Sequence, residues 1–181
     1  MPSQEHDQLT RLGAKWLRRQ GFGVVATEIT AAGSREQPDV IGFRSHCSAL
    51  IEVKVSRSDF LADFSKPERS EDGKGLGVYR FYLCPEGLIG LEDLPPKWGL
   101  LHARGRTVIE VSRPMGNIWP APGRQIGNWS DFQHEPCLKK ERAVLFSIAR
   151  RLSNGTPGYQ RKPWRHRNHM TPEYAPNQTK R

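Results

Sequence analysis

Two short apolar runs with a turn between them constrain the fold of this chain more than any other feature. Residues 40–43 read Val-Ile-Gly-Phe, and residues 49–55 read Ala-Leu-Ile-Glu-Val-Lys-Val. Aliphatic and aromatic runs of this length favour β-strands, and the mostly polar residues 44–47 suit a short turn. We therefore predict an antiparallel hairpin over this segment.

The alternation of side chains sorts the second strand of this hairpin into two faces. Successive side chains point to opposite faces, so Glu52 and Lys54 share one face, while the aliphatic residues around them share the other. If the turn is centred between Ser45 and His46, Asp39 lies directly opposite Glu52. Directly paired residues have Cβ atoms about 4.5–5.5 Å apart. The sequence thus predicts two carboxylates and one ammonium group on a small patch.

This patch has the composition of a metal site. Two carboxylates this close repel each other unless a cation lies between them, and oxygen-rich sites suit Mg²⁺ or Mn²⁺. Asp39 and Glu52 are the candidate ligands, and the backbone carbonyl of Val53 can add a third oxygen. A metal there could polarise a phosphodiester, while Lys54 stabilises the charge that develops. A surface ion pair without function is the alternative, because a Pro-Asp dipeptide and a Glu-x-Lys tripeptide are each common by chance.

The remaining segments predict an α/β domain in which helices flank a mixed central sheet. Leu and Trp residues at helical spacing indicate a first helix that ends near Gly21, and residues 22–29 indicate a strand. Ser58 is the expected N-cap of a second helix, which runs to about residue 64. Further strands are expected at 78–84, 99–102 and 107–111, a long loop at 114–136 and a last helix at 138–152.

The charge balance favours a polyanionic partner. The 181 residues include 28 Lys and Arg against 19 Asp and Glu, a net charge of +9, and such an excess suits phosphate groups. We divide the chain into a domain at 1–155 and a tail at 156–181. The tail is basic and rich in proline with few aliphatic residues, so we expect it to be flexible. A well-solvated basic protein without such a partner is the alternative.

Basic residues near the patch and in the tail are the candidates for nucleic-acid contacts, since cations are enough to grip a phosphate backbone. They are Arg57, Lys66, Arg69 and Lys74 after the second strand of the hairpin, and Arg161, Lys162, Arg165 and Arg167 in the tail. For each of the first four, solvated surface charge is an equally good interpretation.

The motifs of the hairpin resemble those of a known superfamily. Residues 38–43 (Pro-Asp-Val-Ile-Gly-Phe) and 50–54 (Leu-Ile-Glu-Val-Lys) resemble the PD-(D/E)xK nucleases, which include restriction enzymes, archaeal Holliday junction resolvases and MmcB-like DNA-repair proteins. The resemblance covers residues 5–110, and the segment after residue 54 is most similar to repair-type and phage-borne members. It implies a restriction-endonuclease-like fold and a Mg²⁺- or Mn²⁺-dependent deoxyribonuclease.

The resemblance also implies roles for particular residues. Asp39, Glu52 and the Val53 carbonyl would bind the metal, and Lys54 would be the catalytic lysine. Many members carry a further acid on the first helix, at a place where this sequence has none. Glu28 and Glu5 are two equal alternatives for that ligand.

We therefore expect a DNA endonuclease of repair, recombination or phage DNA processing, with branched or single-stranded DNA among its substrates. A catalytically silent nucleic-acid-binding or inhibitory module on the same fold is the alternative. Whether a homodimer cuts both strands is left open. The sequence contains no run of 18 apolar residues, so we expect no membrane partner. The polar first residues and three scattered cysteines without a CxxC pair predict a cytoplasmic protein, and the resemblance implies a bacterial or phage-infected cell.

Overall fold

The computed structural model of the chain describes residues 3–31, 36–66, 68, 73–117, 119–120 and 124–155. These residues form an α/β fold in which helices flank a six-stranded mixed sheet, so the predicted fold class is confirmed. The strands are β1 (Val24–Thr27), β2 (Val40–Phe43), β3 (Ser48–Val53), β4 (Tyr79–Pro85), β5 (Trp98–Arg104) and β6 (Thr107–Ser112). The helices are α1 (Gln4–Arg19), α2 (Arg57–Asp63) and α3 (Leu138–Gly155), with short 3-10 turns at Leu91–Asp93 and Trp129–Phe132. The predicted tail at 156–181 lies outside the described residues.

The strands follow one another across the sheet in chain order. β1, β2 and β3 pair in antiparallel directions, β3, β4 and β5 run parallel, and β6 returns antiparallel to β5. Parallel neighbours need a crossover, and α2 lies within the one between β3 and β4. All six residues of β3 are buried, as expected for a strand covered on both faces. The carboxyl ends of β3 and β4 therefore meet at one end of the sheet.

β2 and β3 pair in the predicted register. Val40 faces Ile51, and the backbone N–H of Arg44 donates to the carbonyl of Cys47 (2.8 Å) to close the turn. If the register is continued one step beyond Val40, Asp39, the residue directly before β2, lies across from Glu52. A slip by one residue would have turned Glu52 toward the apolar cluster on the α1 side instead.

The helices cover opposite faces of the sheet. α1 covers the face that carries Val40 and Ile51, and it approaches so closely that a Cβ on Gly13 would lie 3.4 Å from the Ile51 side chain. Phe60 of α2 and Val144 of α3 belong to apolar clusters that contain the alternate residues of β2 and β3. The face opposite α1 is therefore the one toward which even-numbered residues of β3 point.

Two boundaries near the hairpin differ from the prediction. β1 is shorter than the strand expected at 22–29, because Glu28 has a φ of 46° and leaves the extended region. α2 begins one residue before Ser58, because the hydroxyl of Ser56 accepts the backbone N–H of Asp59 (3.2 Å) and acts as the N-cap. Ser58 is therefore part of the helix and not its cap.

The segment predicted as a long loop at 114–136 contributes aromatic side chains to the core. Trp119 and Trp129 are each 2% exposed, and their rings lie 5.3 and 5.2 Å from the ring of Tyr79. These two aromatic side chains anchor the described parts of the segment to the core without an α-helix or a β-strand, which is consistent with a sequence that shows no period. Among the described helices, none combines the length and apolar character that a membrane crossing requires.

Candidate active site

Asp39 lies directly before β2, and two groups already contact its carboxylate. Oδ2 accepts a hydrogen bond from the backbone N–H of Val53 (2.7 Å), and Oδ1 lies 3.2 Å from Nε2 of His6 on α1. The first contact ties the start of β2 to the end of β3, which holds Asp39 beside Glu52. Each carboxylate oxygen has two lone pairs, so both oxygens can still accept a cation.

Burial is the main influence on the charge of Asp39. It raises the pKa of this carboxyl above its ordinary value, although the hydrogen bond from Val53 and the neighbouring His6, Lys54 and Lys66 oppose the rise. Burial therefore makes ionisation of Asp39 more costly than it is in water. A divalent ion would reverse that penalty, because ligation requires and stabilises the deprotonated carboxylate.

Glu52 occupies the strand position across from Asp39 and is 3% exposed. Its neighbours Ile51 and Val53 belong to the apolar cluster on the α1 side, so the Glu52 side chain points to the opposite face. The structure thus brings the two predicted carboxylates to adjoining positions at the open end of the hairpin.

Lys54 follows β3 directly, and its ammonium group is held by an acid that sequence reasoning missed. Nζ lies 3.3 Å from Oδ1 of Asp63 on α2 and 3.9 Å from Oδ1 of Asp59. The fully buried Asp63 carboxylate also contacts Nζ of Lys66 (2.6 Å) and accepts a hydrogen bond from the Tyr82 hydroxyl (3.1 Å). Because the side chain of Lys54 is only 4% exposed, its position depends on these protein contacts.

One sequence signal could have pointed to Asp63. Asp59 and Asp63 are one helical turn apart, so both acids lie on the same face of α2. What the sequence does not contain is the orientation of α2 on the sheet, which turns this face toward Lys54. Tertiary packing alone decides that contact.

Three more potential ligands gather next to Asp39. Ligand atoms of His6, Asp7 and Glu28 lie within 4.8 Å of one another, and His6 also contacts Asp39. The backbone N–H of Glu28 donates to the carbonyl of Asp39 (3.0 Å), which fixes the two residues side by side. Glu5 instead lines a groove between α1, the ends of β4 and β5, and the β5–β6 turn. Of the two alternatives for a further ligand, the fold brings Glu28 toward Asp39 and turns Glu5 elsewhere.

The predicted nucleic-acid contacts occupy different environments. Arg57 forms a bidentate ion pair with Asp93, although its side chain is 51% exposed. Lys66 shares Asp63 with Lys54, and Lys74 lies in the glycine-rich turn before β4. The remaining candidates, Arg69, Arg161, Lys162, Arg165 and Arg167, lie outside the described residues.

The donor set suits a hard divalent cation. Asp39 and Glu52 offer carboxylate oxygens at adjoining, largely buried positions, and oxygen is the donor that Mg²⁺ and Mn²⁺ prefer. Lys54 contacts a further acid, Asp63, which it shares with Lys66, so its charge is not directed at Asp39 and Glu52 alone. The residues therefore fit the predicted metal, which would balance the two carboxylates and offset the burial that raises the pKa of Asp39.

Known proteins that resemble this chain inform its fold and not its function. No protein-family model matches the chain, and no curated protein matches it. Among solved structures, the chain is similar to a protein of unknown function from Silicibacter pomeroyi, at 24% sequence identity and a TM-score of 0.53. The match covers 88% of this chain and 100% of that one. Any functional conclusion must therefore rest on the geometry of the candidate site.

Proposed function

We propose that this protein is a Mg²⁺- or Mn²⁺-dependent endonuclease that hydrolyses phosphodiester bonds of DNA. The observation that carries the proposal is the register of the β2–β3 hairpin, which brings Asp39 and Glu52 to adjoining positions and sets Lys54 at the end of the same strand. The net charge of +9 supports a polyanionic substrate. Roles in DNA repair, recombination or phage DNA processing remain part of this proposal.

Each residue of the site has a distinct task in this chemistry. Asp39 and Glu52 would hold the cation, and the Val53 carbonyl is the candidate third ligand. A cation held there would polarise the scissile phosphate and lower the pKa of a bound water. The Lys54 ammonium orients the attacking water and offsets the negative charge that builds on the phosphorus centre. Because Asp63 already fixes this ammonium group, little reorganisation is needed during the reaction.

A cleavage assay of the full chain tests the proposal. The protein is incubated with linear duplex, nicked, branched and single-stranded DNA, in Mg²⁺, in Mn²⁺ and in chelator. We expect at least one substrate to be cut with metal and none to be cut with chelator. No metal-dependent cutting of any substrate would refute the proposal, and DNA binding that persists without cutting would favour a silent binding module. Whether duplex is nicked or cut through both strands reports on cooperation between two protomers.

The neighbourhood of Asp39 gives a second prediction, which concerns the further metal ligand. Glu28→Gln is expected to weaken the apparent affinity for Mg²⁺ by about 10- to 100-fold, the usual effect of removing a group that supports a metal site. Glu5→Gln is expected to leave that affinity unchanged, because Glu5 lies in the groove beyond α1. Titration of the cleavage rate with Mg²⁺ measures both variants. A larger effect of Glu5→Gln than of Glu28→Gln would contradict the assignment.

A further inference from the structure

An open groove with a basic rim runs between α1 and the tip of the β5–β6 hairpin. Its volume is about 650 Å³. The floor is apolar and includes Leu9, Leu12, Pro85 and Ala103. The rim is formed by polar and charged side chains of α1, among them Arg11 and Lys15, and by Arg106 of the hairpin.

Local structure explains why these cations share one rim. Gln8, Arg11 and Lys15 follow one another at helical spacing, so they form a single stripe along α1. Arg106 belongs to the two-residue turn between β5 and β6, in which Gly105 has a φ of 59°. Few residues other than glycine adopt that conformation readily, and the tight turn holds Arg106 at a fixed place.

The cations of the groove have no acidic partner among the described residues, unlike the nearby Arg104. Arg104 lies only two residues from Arg106, and it forms a bidentate ion pair with Glu86. Within the part of the chain that the structure describes, no hydrogen bond or ion pair engages the side chains of Arg11, Lys15 or Arg106. Three unpaired cations outnumber the one acid of the groove, Glu5, so the local potential favours an anion at the end that carries them.

Helix α1 and strand β4 connect the groove to the candidate active site. Glu5 lines its near end, and the next residue, His6, contacts Asp39. Pro85 ends β4, whose carboxyl end lies next to that of β3. Lys15 lies nine residues beyond His6, or about 13 Å along the helix axis at 1.5 Å per residue. That distance spans about four nucleotides of one DNA strand at 3.4 Å each.

We propose that this groove binds the sugar–phosphate backbone of duplex DNA next to the bond that is cut. The inference deepens the nuclease function proposed above and rests on it for the identity of the partner. Arg and Lys side chains neutralise phosphates and release counterions, which provides affinity without base recognition. The described residues that line the groove carry no aromatic ring, whereas proteins that grip single strands stack bases on aromatic side chains. The groove therefore selects duplex, and it does so independently of sequence.

The test measures DNA binding in chelator, so its outcome does not depend on cutting. The triple variant Arg11→Gln/Lys15→Gln/Arg106→Gln is compared with the wild-type chain by fluorescence anisotropy over a range of salt concentrations. We expect affinity for a short duplex to fall about 10- to 100-fold near 0.1 M salt. The slope of log affinity against log salt should become shallower by about 2 to 3, and Arg106→Gln alone should change it by about 1.

A matched variant controls for loss of net charge. Lys139→Gln/Arg142→Gln/Arg150→Gln removes three exposed cations from α3, on the sheet face opposite α1, and should bind duplex nearly as the wild-type chain does. Thermal unfolding of both variants checks that they fold. Unchanged binding by the groove variant, an equal loss in both variants, or a larger loss for single-stranded DNA than for duplex would each overturn the proposal. A chain that binds duplex through this groove but cuts nothing would refute only the nuclease function.

Discussion

Replacing Glu52 with glutamine is expected to lower the rate of metal-dependent DNA cleavage by at least about 1000-fold. The reason is that a neutral amide cannot offset the charge of a divalent cation as a carboxylate does. Glutamine keeps the size of the buried side chain, so the fold should persist. Single-turnover cleavage of the substrate that the wild-type chain cuts best measures the loss.

The same variant separates metal binding from a general loss of structure. Mg²⁺ at about 100 times its Kd should stabilise the wild-type chain by about 2.7 kcal/mol, and this rise in Tm should disappear in Glu52→Gln. Lys54→Met should lose cleavage yet keep the rise, because Lys54 is not a ligand. Glu135→Gln, the same change at an exposed position, should behave as the wild-type chain. Cleavage by Glu52→Gln at the wild-type rate would show that another residue or a contaminant is responsible.

Asp63→Asn is expected to lower both the stability of the protein and its turnover. Asp63 is the buried partner of two lysines, and removing one member of a buried ion pair typically costs about 3–5 kcal/mol. Lys66 can turn into water because its side chain is 51% exposed, but the enclosed Lys54 cannot. The stability loss should be evident in urea unfolding, and kcat should fall while DNA affinity in chelator stays unchanged, since the ammonium group loses its fixed position.

Two comparisons distinguish a positioning role of Asp63 from a general structural role. Asp59→Asn changes an acid that is 49% exposed and 3.9 Å from Lys54, so its cost should stay below about 1 kcal/mol. Combining Asp63→Asn with Lys54→Met should recover part of the lost stability, because the uncompensated charge is removed together with its partner. Equal stability and kcat in Asp63→Asn and the wild-type chain would contradict the role that the ion-pair network assigns to Asp63.

The sequence was sufficient to predict the β2–β3 hairpin because both of its determinants are local. A polar turn of fixed length sets which residues face one another, and alternation sets which side chains share a face. Val40 therefore pairs with Ile51 as predicted, and the acids before β2 and within β3 adjoin. The same local logic predicted α1 and the approximate positions of the strands along the chain, but not their order in the sheet. The N-cap of α2 was misplaced by two residues because Ser56 and Ser58 are chemically equivalent in sequence.

The surroundings of that hairpin were decided by tertiary structure. Asp63 reaches Lys54 only because Phe60 packs α2 against the sheet in one orientation, and no residue pattern contains that rotation. His6 contacts Asp39 because α1 packs on the sheet with its first turn next to the start of β2. The same packing directs Glu5 into the groove and leaves Glu28 beside His6, although the sequence made the two acids equal candidates. Local spacing thus determined which groups this chain offers for chemistry. The packing of helices on the sheet, which joins residues far apart in sequence, decided which partners hold those groups.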